Sequence, residues 1–539
     1  MNPKKILILI TVLIFAVLMN AQFVSFRSMS TAGILDGDIE YILVPGELAY
    51  VDGFNVYTNL SNFNYGSEQL IGGFSDNYLV GTKFDYVGMH GGILHQSNDY
   101  SFAWNGTDVE NYFEDTSGDN AYDYHINDSI DDNTNYAEHE DMTYYGFSYG
   151  AKDEMRFGFA YTRDNWSQHD LDENTEIIRS NDLVTGDQLS YQFDNLMQNE
   201  VDAYITQTFE LSMYYPMDMM DIGFNAYYGP SMDKDQYEEL DTTYIDRSPA
   251  GGITNYELLS MAVIQDYQRN RINWGTGITV KRDCEDYMGE FVMGYDNITL
   301  GRTDMFSADS FSYFEEVAPV AWGNDTMMVY DTVTTMDTLS YIEESRHSMN
   351  AGMKYVRKLD KALFGLGVYF SMNNFSGSSV RVYDEENIEY YNDGDGVDDA
   401  ADYTTTTTSS STRNYNSNYV NHYFRLPVGV EFNANKSLVF RLGANTEFAW
   451  YNSEYYTRIT QWEPAMQVTT DGTGATTETL LENPGTRYEY QYESHSFSKY
   501  TIYSYGLGWK ISDNFSIDVM GFANLTDMSG WEISANAKF

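Results

Sequence analysis

Charged side chains alternate with apolar ones along several stretches of the chain. Within residues 419–450, Arg425, Glu431, Arg441 and Glu447 alternate with Phe, Leu and Val. Successive side chains of a β-strand point to opposite faces, so this spacing separates a charged face from an apolar one. Charged faces that line an internal path can set which solutes pass. Ten residues are candidates for such a lining: Arg156, Lys281, Lys354, Arg425, Arg441, Lys510, Glu210, Glu290, Glu431 and Glu447.

The same ten residues support two interpretations. Six are cations and four are anions, so the predicted lining is close to neutral. These charges could select a solute, or they could pair with one another and fill the interior. An interior this polar does not make a hydrophobic core. The apolar faces must therefore meet something else, and we expect outer-membrane lipid.

One acidic stretch has the composition of a calcium loop. Residues 392–399 read N-D-G-D-G-V-D-D, with carboxylates at Asp393, Asp395, Asp398 and Asp399. Carboxylates spaced along a glycine-flexed backbone suit a hard cation with oxygen ligands. The stretch resembles calcium loops of the thrombospondin type 3 repeat, and this resemblance implies calcium. The alternative is an ordinary solvated acidic loop. We expect no other cofactor.

Catalytic motifs are not found in the sequence. The eight His residues form no H-E-x-x-H, and there is no G-x-S-x-G or glycine-rich phosphate loop. We therefore predict that the protein is not an enzyme. A barrel hydrolase with catalytic residues scattered over several strands remains as an alternative.

The overall charge excludes one class of partner. The chain has 81 acidic and 30 basic residues, and its net charge is −51. Proteins that bind nucleic acid contact phosphates through clustered Lys and Arg, so we predict no nucleic-acid binding. The single cysteine, Cys284, excludes an internal disulfide.

The N-terminus has the pattern of an export signal. Lys4 and Lys5 precede an apolar run at residues 6–18, and Ala21 offers a small residue for cleavage. A charged start, a short apolar run and a small residue are typical of a secretory signal peptide. We assign residues 1–21 to it.

The last ten residues, G-W-E-I-S-A-N-A-K-F, alternate between apolar and polar side chains and end on Phe539. They resemble the closing strand of bacterial outer-membrane β-barrels, whose family pattern ends in a terminal Phe. The resemblance implies a location in the outer membrane of a Gram-negative-type bacterium. It also implies contact with the barrel-assembly machinery through this strand.

The order of strands, turns and loops agrees with a barrel. Aromatic residues make up 16% of the chain, as expected for the girdles at membrane interfaces. Short turns alternate with long acidic segments, as periplasmic turns alternate with extracellular loops. We predict an all-β fold, a closed antiparallel transmembrane β-barrel over residues 66–539. It should have about 18 strands, with 14–18 as the range, and long acidic extracellular loops.

Residues 22–65 precede the regular alternation. Within them Pro45, Leu48 and Ala49 are similar to the N-terminal segment of the long-chain fatty-acid transporter family, in which a plug precedes the first strand. The resemblance implies a plug in the lumen. A periplasmic leader and an additional strand are the alternatives.

The function that these features favour is passage of a small solute or a hydrophobic compound through the barrel, as in a porin or transporter. The alternative is a surface-structural or adhesive barrel that acts through its long acidic loops.

Overall fold

The chain is described by a computed structural model over residues 25–60, 74–115, 121–185, 187–217, 220–247, 256–319, 327–393, 400–481, 489–512, 514–523 and 531–539. The helices are α1 (Phe26–Ser30), α2 (Asp38–Leu43) and a 3₁₀ helix (Pro45–Tyr50). Among the described residues, no helix is both long enough and apolar enough to cross a membrane.

Seventeen strands make up the rest of the described secondary structure. They are β1 (Asn55–Leu60), β2 (Phe74–Tyr86), β3 (Met89–Glu114), β4 (Tyr124–Tyr149), β5 (Arg156–Asp182), β6 (Gln188–Met217), β7 (Met220–Asp246), β8 (Tyr256–Asp283), β9 (Tyr287–Pro319), β10 (Met327–Leu359), β11 (Ala362–Asn392), β12 (Tyr403–Asn433), β13 (Leu438–Asp471), β14 (Thr476–Leu480), β15 (Glu489–Ser512), β16 (Phe515–Ala523) and β17 (Trp531–Lys538).

Sixteen of these strands form one closed antiparallel ring. Each strand from β1 to β13 pairs with the next, β13 pairs with β15, and β15 to β17 continue the sheet. The ring closes where β1 lies between β2 and β17, with Val56 opposite both Thr82 and Ala537. Strand β14 pairs only with the outer part of β13 and stands outside the ring. The predicted all-β antiparallel barrel is confirmed.

The strand number is 16 rather than 18, because the sequence pattern divides two long strands. Alternation in the sequence is interrupted after residue 266 and resumes at 271, but residues 256–266 and 271–281 both belong to β8, and β9 likewise joins 286–295 with 298–306. The pairing of β8 with β9 shifts register between Ile264 and Arg271, where the polar residues looked like a turn. A further alternating stretch, residues 67–74, counts toward the 18 strands and lies almost entirely outside the described residues.

The domain boundary at residue 66 also needs correction. Strand β1, residues 55–60, lies within the predicted leader or plug, yet it closes the ring. Of the alternatives for residues 22–65, an additional strand therefore describes their last part. The signal peptide at 1–21 lies outside the described residues.

An apolar band surrounds the ring close to its short turns. These turns, at residues 87–88, 150–155, 284–286, 360–361 and 434–437, define the turn end of the barrel. Large apolar side chains on the outer face remain exposed there. They include Phe147, Phe157, Leu211, Phe224, Phe291, Met353, Leu366, Val428, Phe432, Phe440, Leu442, Trp450 and Trp509. Exposed apolar bands of this size mark contact with lipid or with another apolar surface.

The strands continue far beyond this band, which corrects the prediction of long loops. Strands β3 and β4 stay paired from Met89–Tyr149 to Glu114–Tyr124, about 26 residues each. About 9–11 residues suffice to cross a bilayer. The stretch at 97–142 is one of the long acidic segments expected to form extracellular loops, and its described residues are mostly paired strand. Backbone ladders need no apolar side chains, so pairing can continue where the alternation ends.

The apolar band generates a prediction that uses two sites on one strand. Val428 and Asn418 lie on the same outer face of β12, the first inside the band and the second beyond it. In a bilayer, V428R should lower the free energy of unfolding by about 2–4 kcal/mol, because a cation near the midplane loses its hydration. N418R should change it by less than about 0.5 kcal/mol, as expected for a solvated site. Urea unfolding in lipid vesicles measures both; equal effects would contradict the band.

Candidate functional site

The candidate site is built by the N-terminal segment, which we define as residues 25–54. Its helices are short and are stabilised by local hydrogen bonds. The Ser25 side chain accepts from the Ser28 amide at 3.2 Å and caps α1. The Glu40 carboxylate accepts from the amides of Ser25 and Gly37, both at 2.7 Å, which ties the start of α2 to α1. Burial raises the pKa of Glu40 above its ordinary value, although these hydrogen bonds oppose the shift.

The N-terminal segment lies inside the ring. The 3₁₀ helix contacts β3, β4, β5 and β6, while α1 contacts β13, β15 and β16 on another part of the wall. A segment that touches strands so far apart around a closed ring must cross its interior. Its apolar side chains pack on lumen-facing residues: Ile42 and Leu48 join Leu94 and Tyr144 in one buried cluster, and Ile34 joins another.

Glycines let the backbone of the segment approach the wall. A Cβ atom on Gly158 would lie 2.5 Å from the Pro45 carbonyl carbon, and one on Gly429 would lie 2.5 Å from the Thr31 carbonyl oxygen. Neither distance leaves room for a side chain. Glycine at these two lumen-facing positions is therefore required by close packing rather than by a turn.

Five alternating charges connect the segment to three strands. The Lys354 ammonium donates to both Asp36 carboxylate oxygens, at 2.7 and 2.8 Å, and pairs with Glu290 at 2.8 Å. Glu290 also lies 3.6 Å from the Lys281 ammonium, which donates to Glu47 at 2.5 Å. Asp36 and Glu47 belong to the segment, and the other three belong to β10, β9 and β8. We call this chain of charges the central ion-pair chain.

Glu47 and Arg156 are almost completely buried. Glu47 also accepts from the Tyr214 hydroxyl at 2.5 Å. Arg156 donates to the Gly46 carbonyl at 2.9 Å and to the Tyr50 hydroxyl at 3.1 Å. The 3₁₀ helix is therefore held at both its carboxylate and its backbone by residues of the wall.

A second ion-pair group fastens α1. Arg27 donates to both carboxylate oxygens of Glu431, at 2.9 and 3.0 Å, in the two-pronged geometry that guanidinium groups favour. Arg441 donates to the same Glu431 at 2.9 Å and also pairs with Asp518. Arginines from α1 and β13 thus converge on one carboxylate of β12, and Arg441 connects this group to β16.

The other predicted lining residues lie away from the segment's charges. Glu447 pairs with Arg425 on the neighbouring strand and accepts from the Tyr500 hydroxyl at 2.7 Å. Glu210 hydrogen-bonds Asn225 on the next strand. Lys510 is exposed near the turn end of β15. Farther toward the outer end, Arg269 and Arg271 share Asp233 at 2.8 and 3.0 Å.

Arg27, Asp36 and Glu47 were not predicted as site residues. They occur in a stretch without regular alternation, and their partners are hundreds of positions away in sequence. A usable signal was present: acidic residues spaced among Ile and Leu at 34–48 indicate carboxylates that need partners once those apolar neighbours are buried.

The predicted calcium ligands Asp395, Asp398 and Asp399 lie outside the described residues. Asp393 is described, and its amide donates to the Asp402 carboxylate at 3.0 Å. Calcium binding at this stretch stays a prediction.

His95 contacts both a hydroxyl and a carboxylate, the two groups that a hydrolase places beside its histidine. The His95 Nδ1 atom lies 3.0 Å from the Thr143 hydroxyl and 3.8 Å from the Asp141 carboxylate. A catalytic triad places the nucleophile and the acid on different ring nitrogens, so His95 cannot relay a proton between these two groups.

Comparisons with known proteins found similarity to solved structures alone. No family model matches the sequence, and no curated protein matches it. A mutant of the ferric enterobactin receptor of Pseudomonas aeruginosa is 9% identical, with 90% of this chain and 80% of that chain covered at a TM-score of 0.24. The FrpB iron transporter of Neisseria meningitidis is 8% identical, with 90% and 81% covered at a TM-score of 0.22.

The ferripyoverdine receptor of the Pseudomonas aeruginosa outer membrane, bound to ferripyoverdine, is 9% identical. It is covered over 72% of its length, and this chain over 91%, at a TM-score of 0.22. TM-scores this low do not support a fold assignment. The assignment of this chain to closed antiparallel barrels therefore rests on its own strand pairing.

The central ion-pair chain yields a prediction with a matched control on the same strand. K354M removes the ammonium group that lies between Asp36 and Glu290. Both buried carboxylates then lose their ion pair with residue 354. We expect a loss of about 3–5 kcal/mol in the free energy of unfolding, because an uncompensated buried charge is costly. K358M removes an ion pair with Asp283 that is exposed, and it should cost at most about 1 kcal/mol.

Urea unfolding in detergent micelles measures both variants. Limited proteolysis should also cut the N-terminal segment faster in K354M than in K358M. Equal stability of the two variants would contradict a structural role for the central ion-pair chain.

Proposed function

We propose that this protein is an outer-membrane transporter in which a small solute passes through the barrel and the N-terminal segment controls the path. The observation that carries the proposal is the position of residues 25–54, which cross the interior of the ring near its turn end. In this proposal the segment acts as a plug, the turn end faces the periplasm and the apolar band faces lipid. The solute is a small molecule or a hydrophobic compound.

The way the segment is attached supports a movable plug. Much of its attachment consists of ion pairs, through Arg27, Asp36 and Glu47, in addition to the buried apolar clusters. Charged groups can exchange partners or bind water when a segment moves, whereas an apolar interface loses all its contacts. While the N-terminal segment is in place, the charges of the barrel wall beside it are paired with charges of the segment. When the segment leaves, these wall charges become available to a passing solute.

A second candidate function follows from the length of the strands. Paired strands such as β12 and β13, with 31 and 34 residues, carry the wall of the barrel far beyond the apolar band. A tall polar wall outside the membrane favours a protein that binds other surfaces, as in an adhesive barrel. In that function the segment would only stabilise the barrel.

Conductance across planar bilayers distinguishes the two. Deletion of residues 26–50 should convert a poorly conducting barrel into one with large, stable conductance steps, because it removes the material that crosses the lumen. The double variant D36N/E47Q should open more often than the unchanged protein. D52N is the control, since Asp52 is exposed and lies outside the ion-pair groups of the segment.

Folding of each variant is checked by the heat-dependent shift of the barrel in electrophoresis. If a folded deletion variant conducts no better than the unchanged protein, the transport proposal is wrong and the surface-binding function is favoured.

A further inference from the structure

Arginines on the lumen face generally have carboxylate partners. Arg27 and Arg441 bind Glu431, Arg425 binds Glu447, and Arg269 binds Asp233. This is expected in a chain with 81 acidic residues. An arginine pair without such partners is therefore informative.

Arg381 and Arg413 form such a pair. They lie directly opposite each other on β11 and β12. Among the side chains that the structure describes, no carboxylate forms an ion pair with either guanidinium. On the same face of β11, the next carboxylate toward the outer end is Glu385, four residues away, or about 13 Å along the strand.

The two arginines face the lumen. The pairing of β11 with β12 continues without a register shift from Gly365 and Gly429 to Arg381 and Arg413. Side chains alternate, so these odd-numbered positions share one face. Gly365 and Gly429 contact Ile34 and Thr31 of the N-terminal segment, which identifies that face as the inner one.

Two tyrosines complete the group. The Arg381 guanidinium lies 5.2 Å from the centre of the Tyr415 ring, and that of Arg413 lies 4.3 Å from the Tyr383 ring. The two tyrosine hydroxyls are 3.1 Å apart. The rings orient both guanidinium groups and offset part of their repulsion.

Within the described part of the chain, the two arginines still lack a group of opposite charge and a complete set of hydrogen-bond acceptors. Like charges directly opposite each other on adjacent strands are destabilising. The Nε atom of Arg413 is buried and has no hydrogen-bond partner. Arg381 is exposed, so a molecule in the lumen can reach the pair. An anion between the guanidinium groups would neutralise the repulsion and accept their hydrogen bonds.

We propose that Arg381, Arg413, Tyr383 and Tyr415 form an oxyanion-binding site in the outer part of the lumen. Planar guanidinium groups bind two oxygens of a carboxylate, phosphate or sulfate in parallel, which fits this ligand class. The anion belongs to a water-soluble molecule, because the site faces inward and lipid head groups on the outer wall cannot reach it. Binding here does not depend on whether a solute passes the N-terminal segment.

Calorimetric titration of the full chain in a non-ionic detergent tests this site. Inorganic phosphate and sulfate are the probes, at low salt. The unchanged protein should bind one phosphate per chain, and R381Q or R413Q should each weaken binding about ten-fold or more, since each removes charge-assisted hydrogen bonds. R179Q is the control for loss of one arginine that stacks on a tyrosine ring, because Arg179 lies 5.7 Å from the Tyr191 ring without an opposite arginine, and alternation along β5 places it on the outer face.

A second measurement separates binding from a purely structural role. Phosphate should raise the unfolding temperature of the unchanged protein and of R179Q, but not that of R381Q or R413Q. Without phosphate, R413Q should unfold at no lower temperature than the unchanged protein, because it relieves repulsion. The proposal is overturned if the unchanged protein shows no saturable phosphate binding. It is also overturned if R179Q loses as much affinity as the other variants, or if R381Q and R413Q keep the phosphate-induced rise.

Discussion

A charge that is buried inside this barrel needs a partner of opposite sign, because burial removes the water that would otherwise solvate it. This constraint determines how the N-terminal segment lies. Glu290 alone would have to pair with both Lys281 and Lys354, and Asp36 and Glu47 from the segment give each of these lysines a carboxylate of its own. On the other side of the ring, Arg27 supplies a cation to Glu431. The segment and the wall are therefore complementary in charge as well as in shape.

Closure of the ring and placement of the segment are coupled through the order of the chain. Residues 25–54 lead directly into β1, which pairs with both β2 and β17. At the same end, the Phe539 amide donates to the Phe54 carbonyl at 2.9 Å. The segment thus enters the lumen beside the seam where the first and last strands meet. In the proposed transport function, a movement that frees the segment would leave it attached to the barrel at this seam.

Near the turns, the alternation of apolar and charged residues is regular enough to predict which side chains of a strand share a face. Alternation predicts opposite faces of β12 for Val428 and Glu431; Val428 is exposed on the outside of the ring, and Glu431 pairs with Arg441. In that part of the barrel, side chains that face the membrane must be apolar, whereas their neighbours that face the lumen are polar. Beyond the apolar band both faces are polar, so the long continuations of β3 and β4 left no comparable pattern.

Of the residues in the candidate site, only those on the barrel strands were predictable from the sequence, and those of the N-terminal segment were not. Lys281, Lys354 and Glu290 were identified as inward charges, but Asp36 lies 318 positions from Lys354 and no local pattern connects them. Strand β1 was missed because six residues allow too little alternation. The pair at Arg381 and Arg413 depends on register between β11 and β12, and spacing within one strand does not reveal it.

The most direct test of the account is a double-mutant cycle between Asp36 and Lys354. The free energies of unfolding of the unchanged protein, D36N, K354M and D36N/K354M give the coupling between these two side chains alone. If the ion pair holds the segment, we expect a coupling energy of about 1.5 kcal/mol or more, as measured for close charge pairs with little solvent. A coupling energy near zero would show that the N-terminal segment is not held in the lumen by its charges, and would contradict the account.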